Sequence, residues 1–293
     1  MTARVIDGAA IAATIRRDVA ADVAMLATRG IVPGLAVVLV GDNPASQAYV
    51  RAKAKACGEA GMQSEVIALP STTTQSELFA VIDRLNFDRS THGILCQLPV
   101  PAQIDSAAIL TRVDPAKDVD GFHPVNVGKL MLGDPTAFRP ATPFGVQQLL
   151  VRSGIETRGA HVVIVGRSHL VGRPLANLLS QPGLGADATV TMAHSRSRDL
   201  DAICRTADIL VVAIGRPGFI TARAVAPGAT VIDVGTSRVA DPSHPRGYRL
   251  AGDVAFDEVA AVAGAITPVP GGVGPMTIAM LLVNTVQAAR AAP

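Results

Sequence analysis

The stretch VVIVGRSHLVGRP, residues 162–174, decides the fold class that we expect for the second half of the chain. Its first four residues form an apolar run that is typical of a buried parallel strand, and Gly166 ends that run. A glycine turn between a strand and a helix directs free backbone N–H groups and the positive end of the helix towards a phosphate group. The spacing departs from GxGxxG, because Ser168 takes the second position and the next glycine is Gly172. A plain strand-to-helix connection is therefore the alternative.

The residues after the next apolar stretch, 189–193, indicate which dinucleotide such a turn would bind. NAD-binding versions of the turn carry a carboxylate about 20 residues further on, which binds the ribose 2′-hydroxyl. This sequence has no acid at that place; it has Ser195 between His194 and Arg196, with Arg198 nearby. Hydroxyl and guanidinium groups suit a 2′-phosphate, so the pattern favours NADP over NAD, with a solvated basic loop as the alternative.

Apolar runs and helical patterns alternate along both halves of the chain. We predict strands over residues 35–40, 64–69, 93–98, 161–165, 189–193, 209–213 and 229–234. We predict helices over residues 7–29, 46–60, 74–85, 143–152, 171–179, 199–206 and 276–289. Residues 113–145 show little periodicity and are predicted to be a long loop that leads into a linker. This order predicts two α/β domains, each with a parallel sheet, and the second is expected to be doubly wound.

The length and composition exclude several classes of protein. A chain of 293 residues favours two domains, and 49% hydrophobic with 17% charged residues excludes a disordered polyelectrolyte. A net charge of +2 and only 3% aromatic residues argue against nucleic-acid binding. No apolar run reaches the roughly 18 residues of a membrane span, and the start of the chain lacks the apolar segment of a secretory signal. We therefore expect a cytoplasmic protein that binds neither nucleic acid nor membrane.

The cysteine and histidine residues show no pattern of a disulfide framework or a metal site. The three cysteines are far apart in the sequence and form no CxxC pair, which favours a reducing compartment. The six histidines show neither HExxH nor a paired spacing. No metal is expected.

Three polar side chains in the first half are candidates for ligand binding. Tyr49 and Lys53 lie four residues apart in a predicted helix, so their side chains share one face. Gln97 ends a predicted strand, at the sheet edge where open α/β folds bind their ligands. The alternatives are a surface lysine beside a half-buried tyrosine, and a strand-end amide whose hydrogen bonds are satisfied locally.

Two loops are candidates as well. Asp118 and Asp120 precede Gly121 in a pattern that is usual in turns, but Asp120 could instead accept two parallel N–H bonds from the edge of a heterocycle. Residues 268–275 read PVPGGVGP, and a loop of this composition lets the backbone approach a ligand closely. A plain turn would not require so many glycines and prolines in succession.

Taken in order, these segments resemble one known family. They read SQAYVRAK at 46–53, GILCQLPVP at 93–101, KDVDG at 117–121, GRSHLVGRP at 166–174 and TPVPGGVGPMT at 267–277. Together they are similar to the bifunctional methylenetetrahydrofolate dehydrogenase/methenyltetrahydrofolate cyclohydrolase family. The resemblance implies oxidation of methylenetetrahydrofolate by NADP⁺, followed by hydrolysis of the methenyl product to 10-formyltetrahydrofolate.

The resemblance also implies an architecture. Residues 1–140, completed by the C-terminal helix 275–293, would form the catalytic, folate-binding domain. Residues 141–274 would form a Rossmann-type NADP-binding domain, with a cleft between the two domains. The resemblance further implies a homodimer, and it implies the reduced folate and NADP as the small molecules that the protein binds.

Carried over by position, the resemblance assigns roles to individual residues. Lys53 would be the catalytic lysine, Gln97 would orient it, Tyr49 would shape the folate site and Asp120 would bind the pterin. The loop at 268–275 would contribute to substrate binding through Pro268, Pro270, Gly271 and Gly272. The cofactor residues would be Gly166, Arg167 and Ser168 in the dinucleotide loop, Ser195 near the 2′-phosphate and Thr236 near the nicotinamide. Thr236 and Ser237 stand where the family commonly has Ile-Asn.

Two other functions compete with this interpretation. A shikimate-dehydrogenase-like NADP oxidoreductase has the same domain order, but the loop at 268–275 speaks against it. A folate- or nucleotide-binding module without catalysis would need no catalytic lysine. The presence of Lys53, Gln97 and Asp120 together argues against such a module.

Overall fold

The computed structural model describes residues 2–244 and 247–292, which separate into two compact units. One unit comprises Thr142–Thr277 with the residues up to Ala12, and the other comprises Ala13–Ala141 with the residues from Ile278 onward. The strands are β1 (Arg4–Val5), β2 (Gly34–Val40), β3 (Gln63–Leu69), β4 (Gly93–Gln97), β5 (His161–Val165), β6 (Thr189–Ala193), β7 (Ile209–Val212), β8 (Thr230–Asp233), β9 (Ser237–Ala240), β10 (Tyr248–Ala251) and β11 (Ala265–Ile266). The helices are α1 (Gly8–Ala27), α2 (Pro44–Glu59), α3 (Gln75–Phe87), α4 (Ser106–Arg112), α5 (Pro124–Met131), α6 (Ala141–Arg152), α7 (Gly172–Ser180), α8 (Leu200–Cys204), α9 (Phe256–Ala260) and α10 (Val273–Ala291).

The unit with Thr142–Thr277 contains a parallel sheet in the order β1-β11-β8-β7-β5-β6. Its central strands β5 and β7 are mostly apolar and buried, as is typical of a parallel sheet that is covered on both faces. The chain leaves β5 for β6 on one side and returns to β7 on the other side. The carboxyl end of β5 is therefore a point where the strand order reverses, and such points form ligand-binding crevices in open α/β sheets.

The unit with Ala13–Ala141 contains a parallel sheet in the order β3-β2-β4. The central strand β2 reads GLAVVLV, and every one of its residues is buried. A single bridge pairs Ile94 of β4 with Asp118, so the segment at 118–121 runs beside the end of β4. This arrangement brings Gln97 and the Asp118–Gly121 turn to the same edge of the sheet.

The predicted strands and helices are all present, with ends that differ by a few residues. The prediction of an unstructured loop over 113–145 is wrong, because α5 lies within it. Pro124 is compatible with the first turn of a helix, and the ring of His123 accepts a hydrogen bond from the backbone N–H of Val125 at 3.1 Å. Pro124 therefore begins α5 and Gly133 follows its end, whereas Gly128 is accommodated within the helix.

Several short elements were not predicted. Strands β1 and β11 have two residues each, and β9 and β10 form an antiparallel hairpin. A two-residue strand has no periodicity of its own, so only its pairing partner defines it. Over the described ranges, the structure holds no helix long and apolar enough to cross a membrane.

Candidate active site

Lys53 lies on the buried face of α2. The helix begins at Pro44, where the side chain of Asn43 accepts hydrogen bonds from the next free N–H groups, an arrangement typical of an N-cap. Lys53 is only 8% exposed, whereas Tyr49, one turn earlier, is 49% exposed. The structure therefore excludes a plain surface lysine at this position.

The Lys53 amine donates a hydrogen bond to the side chain of Gln97. The distance from Nζ to Oε1 is 2.9 Å. The amide group of Gln97 in turn donates from Nε2 to the carbonyl oxygen of Leu98 at 2.8 Å, which leaves its oxygen directed at the lysine. The two candidates that lie 44 residues apart in the sequence thus form one pair in the structure.

The charge of Lys53 is affected by two opposing influences. Burial lowers the pKa of Lys53 from the ordinary lysine value, and the negative charge of Asp120 partly opposes that shift. Burial also raises the pKa of Asp120, against the influence of the Lys53 charge. A lysine whose pKa is lowered can exchange a proton closer to neutral pH than an exposed lysine can.

Cys96, next to Gln97, does not add a nucleophile to this site. Burial raises the pKa of the Cys96 thiol to about 12, and the nearby charge of Asp120 acts in the same direction. The thiolate is the reactive form of cysteine, so this thiol is inert at neutral pH.

The turn that carries Asp120 is held by a buried hydrogen-bond network. The carboxylate of Asp118 accepts hydrogen bonds from the backbone N–H of His123 at 2.8 Å and from the side-chain amide of Asn126 at 2.9 Å. Burial raises the pKa of Asp118 to about 6. Gly121 has a φ of +74°, which permits the chain to turn directly after Asp120. Asp118 therefore has a structural role, as expected from turn chemistry.

Asp120 has a different environment. Within residues 2–244 and 247–292, no group donates a hydrogen bond to its carboxylate. Both carboxylate oxygens can therefore accept hydrogen bonds from a ligand. Asn284 of α10 holds the preceding residue, because its Nδ2 donates to the carbonyl oxygen of Val119 at 2.7 Å and to that of Arg139 at 2.9 Å. The sequence analysis nominated neither Asn284 nor Asn126. For Asn284, the available signal was an asparagine within the apolar sequence of α10.

The other unit places the predicted glycine turn at the end of β5. Gly166 has a φ of +138°, and a Cβ atom added there would lie 2.3 Å from the carbonyl oxygen of Ala213. A Cβ atom at Gly172 would lie 2.1 Å from the carbonyl oxygen of Gly166. Ser168 stabilises the turn before α7, since its hydroxyl accepts a hydrogen bond from the N–H of Val171 at 3.1 Å. The spacing that departs from GxGxxG therefore still produces a tight strand–turn–helix unit.

A cavity of about 560 Å³ adjoins this turn. Its walls are formed by Val165, Gly166, Arg167, Ser168, His194, Ser195, Ser197, Leu200, Ala213, Ile214, Arg216 and Phe219. Four of the predicted cofactor residues line it. Thr236 does not; it is exposed and follows β8. The volume, the glycine turn and the cationic and hydroxyl side chains fit a phosphorylated dinucleotide.

Arg216 and Phe219 were not predicted as part of this cavity. The Arg216 guanidinium lies 4.4 Å from the centre of the Phe219 ring, a distance at which a cation interacts with an aromatic face. Arg216 follows the end of β7, which is next to β5 in the sheet. The available signal for Arg216 in the sequence was therefore a basic residue shortly after the end of a third predicted strand.

Two buried aspartates bind the backbone of the segments that follow β7 and β8. Asp253 accepts hydrogen bonds at Oδ2 from the N–H groups of Ile214 and Gly215, at 2.7 and 2.9 Å. Asp233 accepts from the N–H groups of Asp253 and Gly235, both at 2.9 Å. Burial raises the pKa of Asp233 to about 6. These carboxylates connect the chain after β7, which lines the cavity, to the chain after β8.

The proline- and glycine-rich loop follows β11 in the same unit as the cavity. The hydroxyl of Thr267 accepts a hydrogen bond from the N–H of Asp233 at 2.8 Å. The N–H of Gly272 donates to the carbonyl oxygen of Pro268 at 2.9 Å, and Pro270 is exposed. A Cβ atom at Gly8 would lie 1.9 Å from the carbonyl oxygen of Gly272, so the loop packs directly on the start of α1. Pro268, Pro270, Gly271 and Gly272 thus belong to this unit, whereas Tyr49, Lys53, Gln97 and Asp120 belong to the other.

Two family models match almost the whole chain. Residues 6–120 match tetrahydrofolate dehydrogenase/cyclohydrolase, catalytic domain, and residues 140–292 match tetrahydrofolate dehydrogenase/cyclohydrolase, NAD(P)-binding domain. The chain belongs to the tetrahydrofolate dehydrogenase/cyclohydrolase family. The family resemblance and the two-domain α/β fold predicted from the sequence are confirmed.

Similar proteins match this chain over almost all of its residues. A protein of Myxococcus xanthus named Bifunctional protein FolD 1 is 58% identical, over 98% of each chain. The structure of Campylobacter jejuni FolD, a methylenetetrahydrofolate dehydrogenase/cyclohydrolase, has a TM-score of 0.91 with 48% identity over 98% of each chain. The Trypanosoma brucei FolD structure, complexed with NADP cofactor and inhibitor, has a TM-score of 0.93 with 44% identity, over 99% of this chain and 98% of that one.

The histidine, cysteine, aspartate and glutamate residues in the described part of this family member form no group of three that could hold a metal ion.

Proposed function

We propose that this chain is a bifunctional one-carbon folate enzyme. It oxidises 5,10-methylenetetrahydrofolate to 5,10-methenyltetrahydrofolate with NADP⁺ and then hydrolyses the product to 10-formyltetrahydrofolate. The observation that carries the proposal is the buried Lys53 amine, hydrogen-bonded to Gln97 and influenced by the charge of Asp120. A relative that is 58% identical over 98% of the chain, and that is named as a bifunctional protein, supports it.

In this proposal Asp120 binds the pterin. Adjacent N–H donors on the edge of a pterin match the two oxygens of a carboxylate, as a guanidinium does. Tyr49, exposed one turn before Lys53, offers a ring surface that shapes the folate site. We assign residues 1–140 with 275–293 to the folate and residues 141–274 to NADP. Pro268, Pro270, Gly271 and Gly272 are assigned to substrate binding.

Lys53 is the proposed acid and base of the hydrolysis. The neutral amine takes a proton from water while the water oxygen forms a bond to the methenyl carbon. The resulting ammonium group returns that proton to the ring nitrogen as the bond between that nitrogen and the carbon breaks. The remaining hydroxyl proton goes to solvent, which leaves the formyl group. Gln97 keeps its amide oxygen on the lysine and so fixes the position of Nζ during both transfers.

NADP⁺ would supply the hydride acceptor for the oxidation. Gly166, Arg167 and Ser168 would form the loop that holds the dinucleotide, and Arg167 and Ser195, with the other basic side chains of the cavity, would hold the 2′-phosphate. Thr236, outside the cavity lining, is proposed to lie near the nicotinamide. The chain's own contribution to this step is to align the two reactants.

The preference for NADP⁺ over NAD⁺ is expected to depend on Arg167. Replacing Arg167 with glutamine removes one cation from the cavity wall, and the KM for NADP⁺ should rise about tenfold, with a smaller effect on NAD⁺. Initial rates of methylenetetrahydrofolate oxidation with each cofactor measure this. The matched control is Arg158→Gln, because Arg158 is an exposed cation of the same unit that pairs with Asp187 at 3.8 Å. An unchanged ratio of NADP⁺ to NAD⁺ efficiency would show that Arg167 has no part in the discrimination.

One assay tests the proposed function as a whole. NADPH formation and the decay of methenyltetrahydrofolate are followed together after methylenetetrahydrofolate is added, and both signals are expected. Turnover of shikimate without turnover of methylenetetrahydrofolate would instead favour the shikimate-dehydrogenase-like alternative. Binding of folate and NADP⁺ without turnover of either would favour a non-catalytic module.

The proposal includes a cytoplasmic homodimer, as the family resemblance implies. A second copy of the 30.1 kDa chain would double the mass in solution, which light scattering measures directly. A mass equal to one chain at assay concentrations would contradict the homodimer, and recovery of the native protein outside the cytoplasm would contradict its location.

A further inference from the structure

Asn284 is a polar residue in the middle of α10 where apolar packing would be expected. It is 1% exposed, and its helix neighbours Leu281, Leu282 and Val286 are buried as well. Its Oδ1 atom is buried and, among the described residues, has no hydrogen-bond partner. Burying an unpaired polar atom lowers the stability of a fold, so the core itself gains nothing from this oxygen.

The amide nitrogen of Asn284 makes two long-range contacts. Nδ2 donates to the carbonyl oxygen of Val119 at 2.7 Å and to the carbonyl oxygen of Arg139 at 2.9 Å. Val119 directly precedes Asp120, and 165 residues separate it from Asn284. On the other side of Asp120, the N–H of Gly121 donates to the carbonyl oxygen of Asp118 at 3.0 Å. The peptide group on the N-terminal side of Asp120 is thus fixed by a side chain from α10.

We propose that Asn284 is a positioning residue for the Asp120 carboxylate and thereby determines the affinity for the pteridine. This inference rests on the proposed function, because it takes Asp120 as the group that binds the pterin. A carboxylate that accepts two parallel hydrogen bonds must be oriented as well as close, and its orientation follows the peptide group that Asn284 holds. The same peptide group sets the position of the Asp120 charge relative to Lys53.

The first test replaces Asn284 with leucine, which has a similar volume and donates no hydrogen bond. The KM for methylenetetrahydrofolate and the KM for methenyltetrahydrofolate should each rise about tenfold, the loss expected for a weakened charge-assisted hydrogen bond. The KM for NADP⁺ should not change. Serine at this position retains one donor, and Asn284→Ser should give KM values between those of the wild type and the leucine variant. The serine variant also carries the test if the leucine variant does not fold.

Thr285 provides a matched control on the same helix. It is fully buried, but its hydroxyl donates to the carbonyl oxygen of Leu281 within α10, at 2.8 Å. Thr285→Val therefore removes a buried hydrogen bond without affecting Val119 or Arg139. Its KM for both folates should stay at the wild-type value. Equal increases in KM for Thr285→Val and Asn284→Leu would overturn the inference, because general loosening of α10 would then explain both.

A double-mutant cycle separates positioning from a general structural role. If Asn284 acts through Asp120, then Asn284→Leu should lower kcat/KM for folate by less than about twofold in the Asp120→Asn background. A full tenfold loss in that background would overturn the inference. Calorimetric titration with the reduced folate gives the same comparison without turnover. A wild-type protein without either activity would thus refute the proposed function, whereas unchanged folate affinity in Asn284→Leu would refute this inference alone.

Discussion

Replacing Lys53 with glutamine is expected to lower the cyclohydrolase rate by about 10³-fold or more, because general acid–base catalysis contributes about 10²–10⁴-fold. Among the described residues, Lys53 is the titratable side chain that is hydrogen-bonded to Gln97. In the part of the chain that the structure describes, no second titratable side chain is held there that could transfer protons in its place. The dehydrogenase rate should fall less, by roughly tenfold, since there the residue affects only alignment. The measurement is the rate of methenyltetrahydrofolate decay beside the rate of NADPH formation.

The control for this substitution is Lys55→Gln. Lys55 lies on the same helix, but its side chain is 77% exposed and forms a surface ion pair with Glu59 at 3.7 Å. It should retain wild-type rates. A Lys53→Gln variant that hydrolyses the methenyl substrate normally would disprove the catalytic role of the amine.

The pH dependence of the wild type provides a second test of Lys53. Burial lowers the pKa of Lys53 below its ordinary value of 10.5, so the fraction of neutral amine begins to grow at lower pH than for a free lysine. The cyclohydrolase kcat should therefore rise with pH along a limb centred below 10.5. This limb should be absent in Lys53→Gln. A limb that persists in the variant would belong to another group.

Replacing Asp120 with asparagine is expected to raise the KM for both folates by about 100-fold, because two charge-assisted hydrogen bonds would become one neutral bond at best. The KM for NADP⁺ should stay the same. The substitution also removes the negative charge that raises the pKa of Lys53, so that pKa should fall further. The pH limb of the cyclohydrolase kcat should accordingly move to lower pH. Steady-state kinetics across a pH series measures both effects.

Asp114→Asn is the matched control for Asp120→Asn. Asp114 is an exposed carboxylate in the same segment, and it accepts a hydrogen bond from the N–H of Ala116 at 2.8 Å. It should change neither the folate KM nor the pH limb. Equal losses of folate and NADP⁺ affinity in Asp120→Asn would argue against pterin binding and for a general defect.

The strand and helix pattern could be predicted because each element follows a local rule. Strand β5 is an apolar run ended by a glycine, and α2 presents Tyr49 and Lys53 on neighbouring turns. Gln97 could be nominated because it ends a strand, and parallel sheets bind ligands at that edge. The contact between Lys53 and Gln97 joins residues that lie 44 positions apart, and it was the family resemblance that implied it.

The remaining features depend on partners that are distant in the sequence. The role of Asn284 depends on its hydrogen bond to Val119, and the role of Asp253 depends on its hydrogen bonds with the chain after β7. Local spacing carries no information about such pairs. Arg216 lines the cavity beside Gly166 because β7 is next to β5, which is a property of the strand order. Helix α5 was missed for the opposite reason, since its proline and glycine residues were taken as signs of a loop.

The edge strand β1 has a consequence for biosynthesis. Arg4 pairs with Ala265, 261 positions later in the chain. A ribosome adds about 5–20 residues per second, so the first strand emerges roughly a quarter of a minute to a minute before its partner exists. During that interval the amino terminus has no sheet to join. The β1 edge of the unit with Thr142–Thr277 can therefore form only after β11 has been synthesised, and a nascent chain that stops before β11 leaves β1 unpaired.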